Sequence, residues 1–234
     1  MNYSELFKHI KEMPKEEWIT VGAKLDYKIE IDDALKIVRL IFQESNGFLD
    51  WVHNFIYFDV RYRDVYSNQV SCIKAHVGFA HLYKSGNDQI MDEFIKTINE
   101  HPDYVIEIVG WSQGGAVTQL AAEDLNFRTR TDKDNVDSGK KAHIITYGSP
   151  KVFANDESTM NYIRSCCGSI TEIAQHNDMV TYMPPFNRFC HIDPNFKRTG
   201  KATNLFFDWF KPKIYHTSYD DVTLYTEEQL SFVA

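Results

Sequence analysis

Residues 104–115 read YVIEIVGWSQGG, and this stretch decides the predicted fold. Its first half is mostly apolar and is typical of a buried strand. The residues after it have helical periodicity, so a strand is followed at once by a helix. Between the two lies a G-x-S-x-G motif with Ser112 at its centre. Glycines on both sides allow a tight turn, on which a strained serine would hold its hydroxyl clear of the sheet. The apolar helix face consists of Val117, Leu120, Ala121 and Leu125.

The same alternation of strand and helix continues on both sides of this motif. Downstream, we predict strands at 142–147 and 170–175 and a helix at 155–165. Such an order implies an α/β fold, with a mostly parallel central sheet and helices on both faces. Functional groups then gather at the carboxyl edge of the sheet. Upstream, the predictions are a helix at 4–19 that buries Leu6, Ile10 and Trp18, strands at 25–31 and 35–42, and a helix at 79–100 that stops at His101-Pro102.

Composition limits the classes of protein that this chain can belong to. The 234 residues carry a formal net charge of −8, and 43% of them are hydrophobic. We predict one domain, residues 1–234, in which residues 1–20 form an N-terminal helix. Residues 128–141 (RTRTDKDNVDSGKK) read as a solvated loop rather than a linker. The lack of a continuous basic stretch argues against binding to nucleic acid.

Targeting signals and cysteines suggest a cellular location. Residues 1–18 carry charges throughout, unlike a secretory signal, and no run of about 20 apolar residues predicts a transmembrane segment. The four cysteines are too few to be a disulfide framework and are interpreted as mainly reduced. We therefore expect a cytoplasmic protein, although a mature secreted form would look similar.

A serine nucleophile needs a histidine as its base and a carboxylate that orients the histidine. Asp178 comes directly after the strand at 170–175, where an acid of this kind would emerge; the alternative is a turn aspartate that caps local amides. The histidines after Ser112 are His143, His176, His191 and His216. His143 lies inside a strand and is expected to be structural, whereas the other three follow it in or near loops.

Several ordered motifs resemble the class 3 lipases, the fungal triacylglycerol-lipase-like branch of the α/β-hydrolases. The resemblance runs from about residue 37 to residue 216. It includes HVGF at 76–79, HPDY at 101–104 before the serine motif, YGSPKV at 147–152, and NDMV at 177–180 followed by Pro184-Pro185. It implies the α/β-hydrolase fold and hydrolysis of carboxylic esters, with no metal or organic cofactor.

The resemblance also assigns roles to individual residues. Asp178 would be the acid of the triad and His216 its base, with His191 as the alternative base. The oxyanion hole would consist of the backbone N–H of Gln113 and of Ser45, in FQES at 42–45. The family has Arg and Gly where this chain has Gln43 and Glu44, and the loss of the glycine is expected to change the path of the backbone there.

Residues 49–55 (LDWVHNF) resemble the lid of the family, with Asp50, Trp51, Val52 and Phe55 as candidate lid residues. A short apolar helix here would cover an acyl groove and open in transient contact with a lipid interface. A helix packed permanently on the core is the alternative.

These observations favour a serine hydrolase that cleaves acyl esters of glycerolipids, as a lipase or phospholipase does. An esterase for small soluble esters is the first alternative, and a catalytically inactive lipase-like binding module is the second. A cysteine-dependent hydrolase or metal protein built on Cys166, Cys167, Cys190 and His191 is disfavoured, because the chain has no C-x-x-C pair.

Overall fold

The computed structural model describes residues 2–43, 58–67, 70–185, 187–200 and 215–221, together with Tyr225. The helices are α1 (Tyr3–Glu12), α2 (Val77–Lys84), α3 (Asn87–Glu100), α4 (Gln113–Thr129) and α5 (Glu157–Ser165), and single 3₁₀ turns occur at Lys15–Glu17, Val136–Ser138 and Met179–Tyr182. The strands are β1 (Ile19–Val21), β2 (Leu25–Asp32), β3 (Ile37–Phe42), β4 (Asp59–Ser67), β5 (Val70–His76), β6 (Val105–Trp111), β7 (His143–Tyr147), β8 (Phe153–Ala154), β9 (Ser169–Gln175), β10 (Phe189–Cys190) and β11 (Arg198–Thr199).

A central sheet organises the described residues. Its seven strands have the order β1-β2-β3-β6-β7-β9-β11. The pairs β3–β6, β6–β7, β7–β9 and β9–β11 are parallel, and β1–β2 and β2–β3 are antiparallel. The prediction of a mostly parallel α/β sheet is therefore confirmed. The motif at 110–114 joins β6 to α4 near the middle of this sheet.

The side chains of each strand alternate between two cores. On β6, Ile108 belongs to the larger core with the apolar residues of α2, α3, α4 and α5, whereas Val109 and Trp111 belong to a smaller core under α1. Because consecutive strand residues point to opposite faces, both faces of the sheet are apolar and both need a cover. The helix α4 is buried on every side, not only along the predicted apolar face.

A second, antiparallel sheet was not predicted from the sequence. Within the described residues its strands have the order β10-β8-β5-β4. Three of its four strands lie between residues 70 and 190 and pair through β8, a strand of only two residues. Such a short element leaves no periodicity to detect.

Two predicted helices differ from those observed. The helix predicted at 4–19 is wrong in extent: α1 ends at Glu12, and Met13 is extended (φ −61°, ψ 128°) because it precedes Pro14. Its expected core residues Leu6, Ile10 and Trp18 are nevertheless buried. The helix predicted at 79–100 is two helices, α2 and α3, separated at Ser85 and Gly86. A Cβ on Gly86 would lie 2.5 Å from Val21, so the break lets the chain approach β1 closely.

None of the helices in the described ranges is both long and apolar enough to cross a membrane.

Candidate active site

The predicted turn at Ser112 is present. Ser112 has φ 59° and ψ −123°, a backbone conformation that residues other than glycine rarely adopt. Glycines permit the crowding around it: a Cβ on Gly110 would lie 2.3 Å from the Gly114 carbonyl oxygen, and one on Gly114 would lie 2.4 Å from that of Phe42. The Ser112 N–H donates to the Tyr147 carbonyl at 2.8 Å, which ties the turn to the end of β7. Strain held in place by its surroundings is typical of functional sites.

Asp178 follows β9 at the same edge of the sheet and is fully buried. Its Oδ1 accepts the Val180 N–H at 3.0 Å, and its Oδ2 accepts the Tyr219 hydroxyl at 2.6 Å. Burial, and then the Asp178 charge and this hydrogen bond, raises the pKa of Tyr219 well above its ordinary value. Tyr219 therefore keeps its proton and remains a donor to the carboxylate.

His216 is paired with this carboxylate. Its Nδ1 lies 2.8 Å from Asp178 Oδ2, and since a carboxylate only accepts, Nδ1 is the donor. Gly148 makes the approach possible: it has φ +56°, and a Cβ there would lie 2.6 Å from Asp178 Oδ2 and 2.9 Å from His216 Nδ1. Any side chain at position 148 would separate the acid from the base.

The structure brings the His216 ring to the turn that carries Ser112. The Trp111 and His216 rings are 5.8 Å apart between centroids, and Trp111 Nε1 donates to the His216 carbonyl at 3.0 Å. Gly148, beneath the imidazole, follows the strand next to that of Ser112, and such neighbours lie about 5 Å apart. Ser112 is fully buried, and within the described part of the chain its Oγ accepts or donates no hydrogen bond.

His191, the alternative base, has both ring nitrogens engaged elsewhere. Its Nδ1 lies 3.1 Å from Glu172 Oε1 and its Nε2 lies 2.8 Å from the Thr181 carbonyl oxygen. The ring also stacks on Phe196, with 3.7 Å between centroids. This set of contacts is that of a structural histidine.

The proposed oxyanion hole is only partly within the described residues. Gln113 begins α4, and the first N–H groups of a helix point out of its amino end, here toward Ser112. A Cβ on Gly114 would lie 2.7 Å from the Gln43 carbonyl oxygen, so the end of β3 also reaches the turn. Ser45, Glu44 and the candidate lid residues Asp50, Trp51, Val52 and Phe55 lie outside the described residues, and their roles stay predictions.

The cysteine-dependent alternative gains no support. The four thiols are free, and burial raises the pKa of Cys166 to about 12 and that of Cys190 to about 11. Protonated thiols are poor nucleophiles and poor metal ligands. Within the described ranges, no group of three His, Cys, Asp or Glu side chains is placed to hold a metal ion.

Sequence reasoning missed two residues of this site, Tyr219 and Gly148. Tyr219 lies three residues after His216, within a segment whose tyrosine has no motif of its own. Gly148 belongs to the recognised YGSPKV segment, but its function depends on a tertiary approach between β7, residue 178 and residue 216. The contacts of Tyr219 and of Gly148 with the triad cannot be predicted from the spacing of residues in the sequence.

Comparison with curated proteins finds fungal lipases. A lipase of Rhizomucor miehei is 24% identical over 168 residues, which is 72% of this chain and 43% of that protein. The secreted mono- and diacylglycerol lipase A of Penicillium cyclopium is 26% identical over 171 residues, 72% of this chain and 50% of that protein. The chain thus spans half or less of the length of these relatives.

The relatives correct the expected location. The matching lipases of Penicillium cyclopium and Penicillium camembertii are named as secreted proteins. This finding contradicts the expectation of a cytoplasmic protein, which is wrong. Charges in the first 18 residues and sparse cysteines, on which that expectation depended, describe the chain as given and do not determine where it resides.

Solved structures and a family model agree with these relatives. A crystal structure of the Penicillium cyclopium lipase superposes with a TM-score of 0.59 at 25% identity, covering 73% of this chain and 57% of that one. A further fungal lipase superposes with a TM-score of 0.63 at 21% identity, covering 85% and 77%, and shows the shared α/β-hydrolase fold. The family model described as "Lipase (class 3)" matches residues 39–188, well over half of the sequence. The chain belongs to the class 3 lipase family.

Proposed function

We propose that the protein is a serine hydrolase that cleaves carboxylic esters with Ser112, Asp178 and His216 as its triad. One observation carries the proposal: His216 Nδ1 lies 2.8 Å from Asp178 Oδ2, at the sheet edge where Ser112 occupies a strained turn. A hydroxyl is a poor nucleophile at neutral pH and needs a base to accept its proton, and the pair of His216 and Asp178 would provide that base.

The proton transfers follow from this arrangement. Asp178 accepts the Nδ1–H of His216, which leaves Nε2 as the basic atom of the neutral ring. As Ser112 Oγ attacks the ester carbonyl, its proton passes to Nε2, and the imidazolium then gives that proton to the departing alcohol. Water repeats the sequence on the acyl-enzyme and releases the acid. The Asp178 charge stabilises the imidazolium in both steps.

Transition-state charge would be stabilised at the amino end of α4. The carbonyl oxygen of the ester becomes negative in the tetrahedral intermediate, and the backbone N–H of Gln113, next to the nucleophile, would donate a hydrogen bond to it. The partial positive charge of the helix amino terminus acts in the same direction. Ser45 remains the proposed second donor.

We assign acyl esters of glycerolipids as the substrate class, with lipase or phospholipase activity. The relatives from Rhizomucor and Penicillium are named as lipases, the latter acting on mono- and diacylglycerols. Ser112 is fully buried, so a substrate reaches it only when the covering residues move. Such a change in transient contact with a lipid interface fits the proposed lid, and esterase activity on small soluble esters is the alternative.

The test is turnover by Ser112→Ala. We expect this variant to lose at least about 10³-fold in kcat/KM, since the residual reaction has no nucleophile. Activity is measured on p-nitrophenyl butyrate in solution and on mono-, di- and triacylglycerols and phospholipids above and below their solubility limits. The exposed Ser158→Ala is the matched control and keeps wild-type activity.

The remaining alternatives separate in the same experiment. Ser112-dependent activity that rises sharply when a glyceride forms an interface supports the lipase, and activity confined to dissolved short esters supports the esterase. A fluorophosphonate probe that fails to label Ser112 supports the inactive binding module. Wild-type turnover by Ser112→Ala would refute hydrolysis at this site.

A further inference from the structure

The helix α1 lies behind the proposed triad, on the smaller core. The Phe7 ring is fully buried, and three aromatic rings surround it, those of Trp111 at 5.3 Å, Tyr147 at 5.1 Å and Tyr219 at 5.5 Å between centroids. Each of the three is joined to a member of the triad. Trp111 precedes Ser112 in the chain, the Tyr147 carbonyl accepts the Ser112 N–H, and the Tyr219 hydroxyl donates to Asp178.

Polar groups of α1 bind the backbone that carries His216. Lys11 Nζ donates to the Thr217 carbonyl at 2.9 Å and to Asp220 Oδ2 at 3.0 Å. The hydroxyl of Ser4, a buried residue of the same helix, donates to the Asp220 carbonyl at 2.7 Å. Thr217 is the residue after His216, so the Lys11 contact lies one peptide unit from the base.

The helix is itself held on the sheet from the other side. His9 Nε2 lies 3.0 Å from Glu30 Oε1 on β2, and Leu6 and Ile10 are buried against the same face. A capping box between Asn2 and Glu5 fixes the first turn. A rigid, anchored helix can transmit its position to the residues that it binds.

Neither partner of this contact belongs to the region that the family model matches, which begins at residue 39 and ends at residue 188. The contacts of α1 with residues 217 and 220 and with β2 hold the two segments together and against the sheet. A misplacement of about 1 Å at a catalytic base can cost a large factor in rate.

We infer that α1 is a positioning element for the reaction, which uses Lys11 to hold the Thr217 carbonyl and thereby fixes His216 against Asp178. Phe7 supplies the apolar support beneath Trp111 and Tyr219. Lys11 contacts neither the substrate nor the reacting atoms, and its effect passes through the backbone next to the base. The inference rests on the proposed function of the triad.

Substitution of Lys11 tests the inference. Lys11→Met keeps the aliphatic stem and removes the donor, and the matched control Lys8→Met removes the same charge from an exposed position of the same helix. We expect kcat on p-nitrophenyl butyrate to fall about fivefold in Lys11→Met with KM unchanged, because both charge-assisted hydrogen bonds of the ammonium are lost. Lys11→Arg, which can still donate, restores most of the rate.

Active-site titration with a fluorophosphonate separates slower sites from fewer sites. The inference requires a full count of labelled Ser112 in Lys11→Met, a slower labelling rate, and a midpoint of thermal unfolding close to that of Lys8→Met. Equal kcat in the two variants, or a loss explained by a smaller count of competent sites, overturns it. If Ser112→Ala itself retains turnover, the proposed triad has failed, and the rates of the Lys11 variants are then irrelevant to it.

Discussion

The two ends of α4 treat buried polar side chains in opposite ways. At its amino end, Ser112 is fully buried in a strained conformation, and within the described residues its Oγ makes no hydrogen bond. In its second half, Glu123 and Asp124 are equally buried, but cationic and polar partners surround them. A folded chain tolerates an unsatisfied polar group only at a cost of about 1–3 kcal/mol, so the amino end sacrifices stability where the second half does not.

We call the paired region the α4 charge cluster, consisting of Arg63, Glu123, Asp124 and Arg128. Arg63 Nε donates to Glu123 at 2.9 Å, and its Nη2 donates to Asp124. Arg128 Nε donates to Asp124 Oδ2 at 3.0 Å, and the hydroxyl of Tyr83 donates to the same oxygen at 3.0 Å. The cluster joins β4 to α2 and α4, which makes it a structural site. The comparison therefore predicts that substitutions in the proposed triad, at the amino end of α4, and in the α4 charge cluster have opposite consequences.

The largest effect is expected from Asp178→Asn. An amide cannot stabilise the imidazolium of His216 as a carboxylate does, so we expect kcat/KM to fall about 10³- to 10⁴-fold. The free energy of unfolding, measured by urea denaturation, should change far less than this activity loss implies. Asp134→Asn, in an exposed turn, is the control. A loss of activity below tenfold would contradict the assigned role of Asp178.

Arg63→Met should show the reverse pattern. It leaves two buried carboxylates with fewer cations, and breaking such a pair costs about 3 kcal/mol of unfolding free energy. Activity per folded molecule, measured by fluorophosphonate titration, should remain that of the wild type. Arg61→Met, at an exposed residue of the same strand, is the control and should cost less than about 1 kcal/mol.

If Arg63→Met instead lowers kcat without lowering stability, the division between a catalytic and a structural end of α4 is wrong. A loss of both quantities in equal measure would mean that β4 and the triad are coupled through the helix.

The catalytic end of α4 was predictable and the structural end was not. Ser112 lies in a local motif whose strand, turn and helix are contiguous in sequence, so periodicity and glycine spacing reveal it. Asp178 was predictable from the sequence for a similar reason, since it follows directly after a strand. Glu123 and Asp124, in contrast, are fully buried, where a helix pattern suggests solvent exposure. Their burial depends on tertiary partners such as Arg63, 60 residues earlier in the chain than Glu123, and Tyr83.

The base shows the same limit. The residues left His176, His191 and His216 open, and the resemblance favoured His216 over His191. The physical reason to disfavour His191 is that its ring contacts Glu172 and Thr181, which lie 19 and 10 positions away in the sequence. Similarly, the support of His216 by α1 joins residues more than 200 positions apart. Contacts of this range have no signature in a single sequence.

The smallest effect tests whether the α4 charge cluster is fully ionised. Burial raises the pKa of Glu123 to about 7 from an ordinary value of 4.5, against the opposing influence of Arg63. Between these values the unfolded chain releases a proton that the folded protein retains. Stability from this group is therefore complete below about pH 4.5 and is lost as the pH rises toward and through 7.

Glu123→Gln removes that dependence, since an amide does not titrate. Relative to the wild type, the variant should gain about 2 kcal/mol of unfolding free energy between pH 5 and pH 7, as read from urea denaturation at both pH values. Glu100→Gln, at an exposed carboxylate, should show the same change in unfolding free energy between the two pH values as the wild type. If Glu123→Gln also shows the same change as the wild type, Arg63 keeps Glu123 ionised throughout this range. The two buried carboxylates would then both be charged and paired, in contrast to Ser112, whose Oγ makes no hydrogen bond within the described residues.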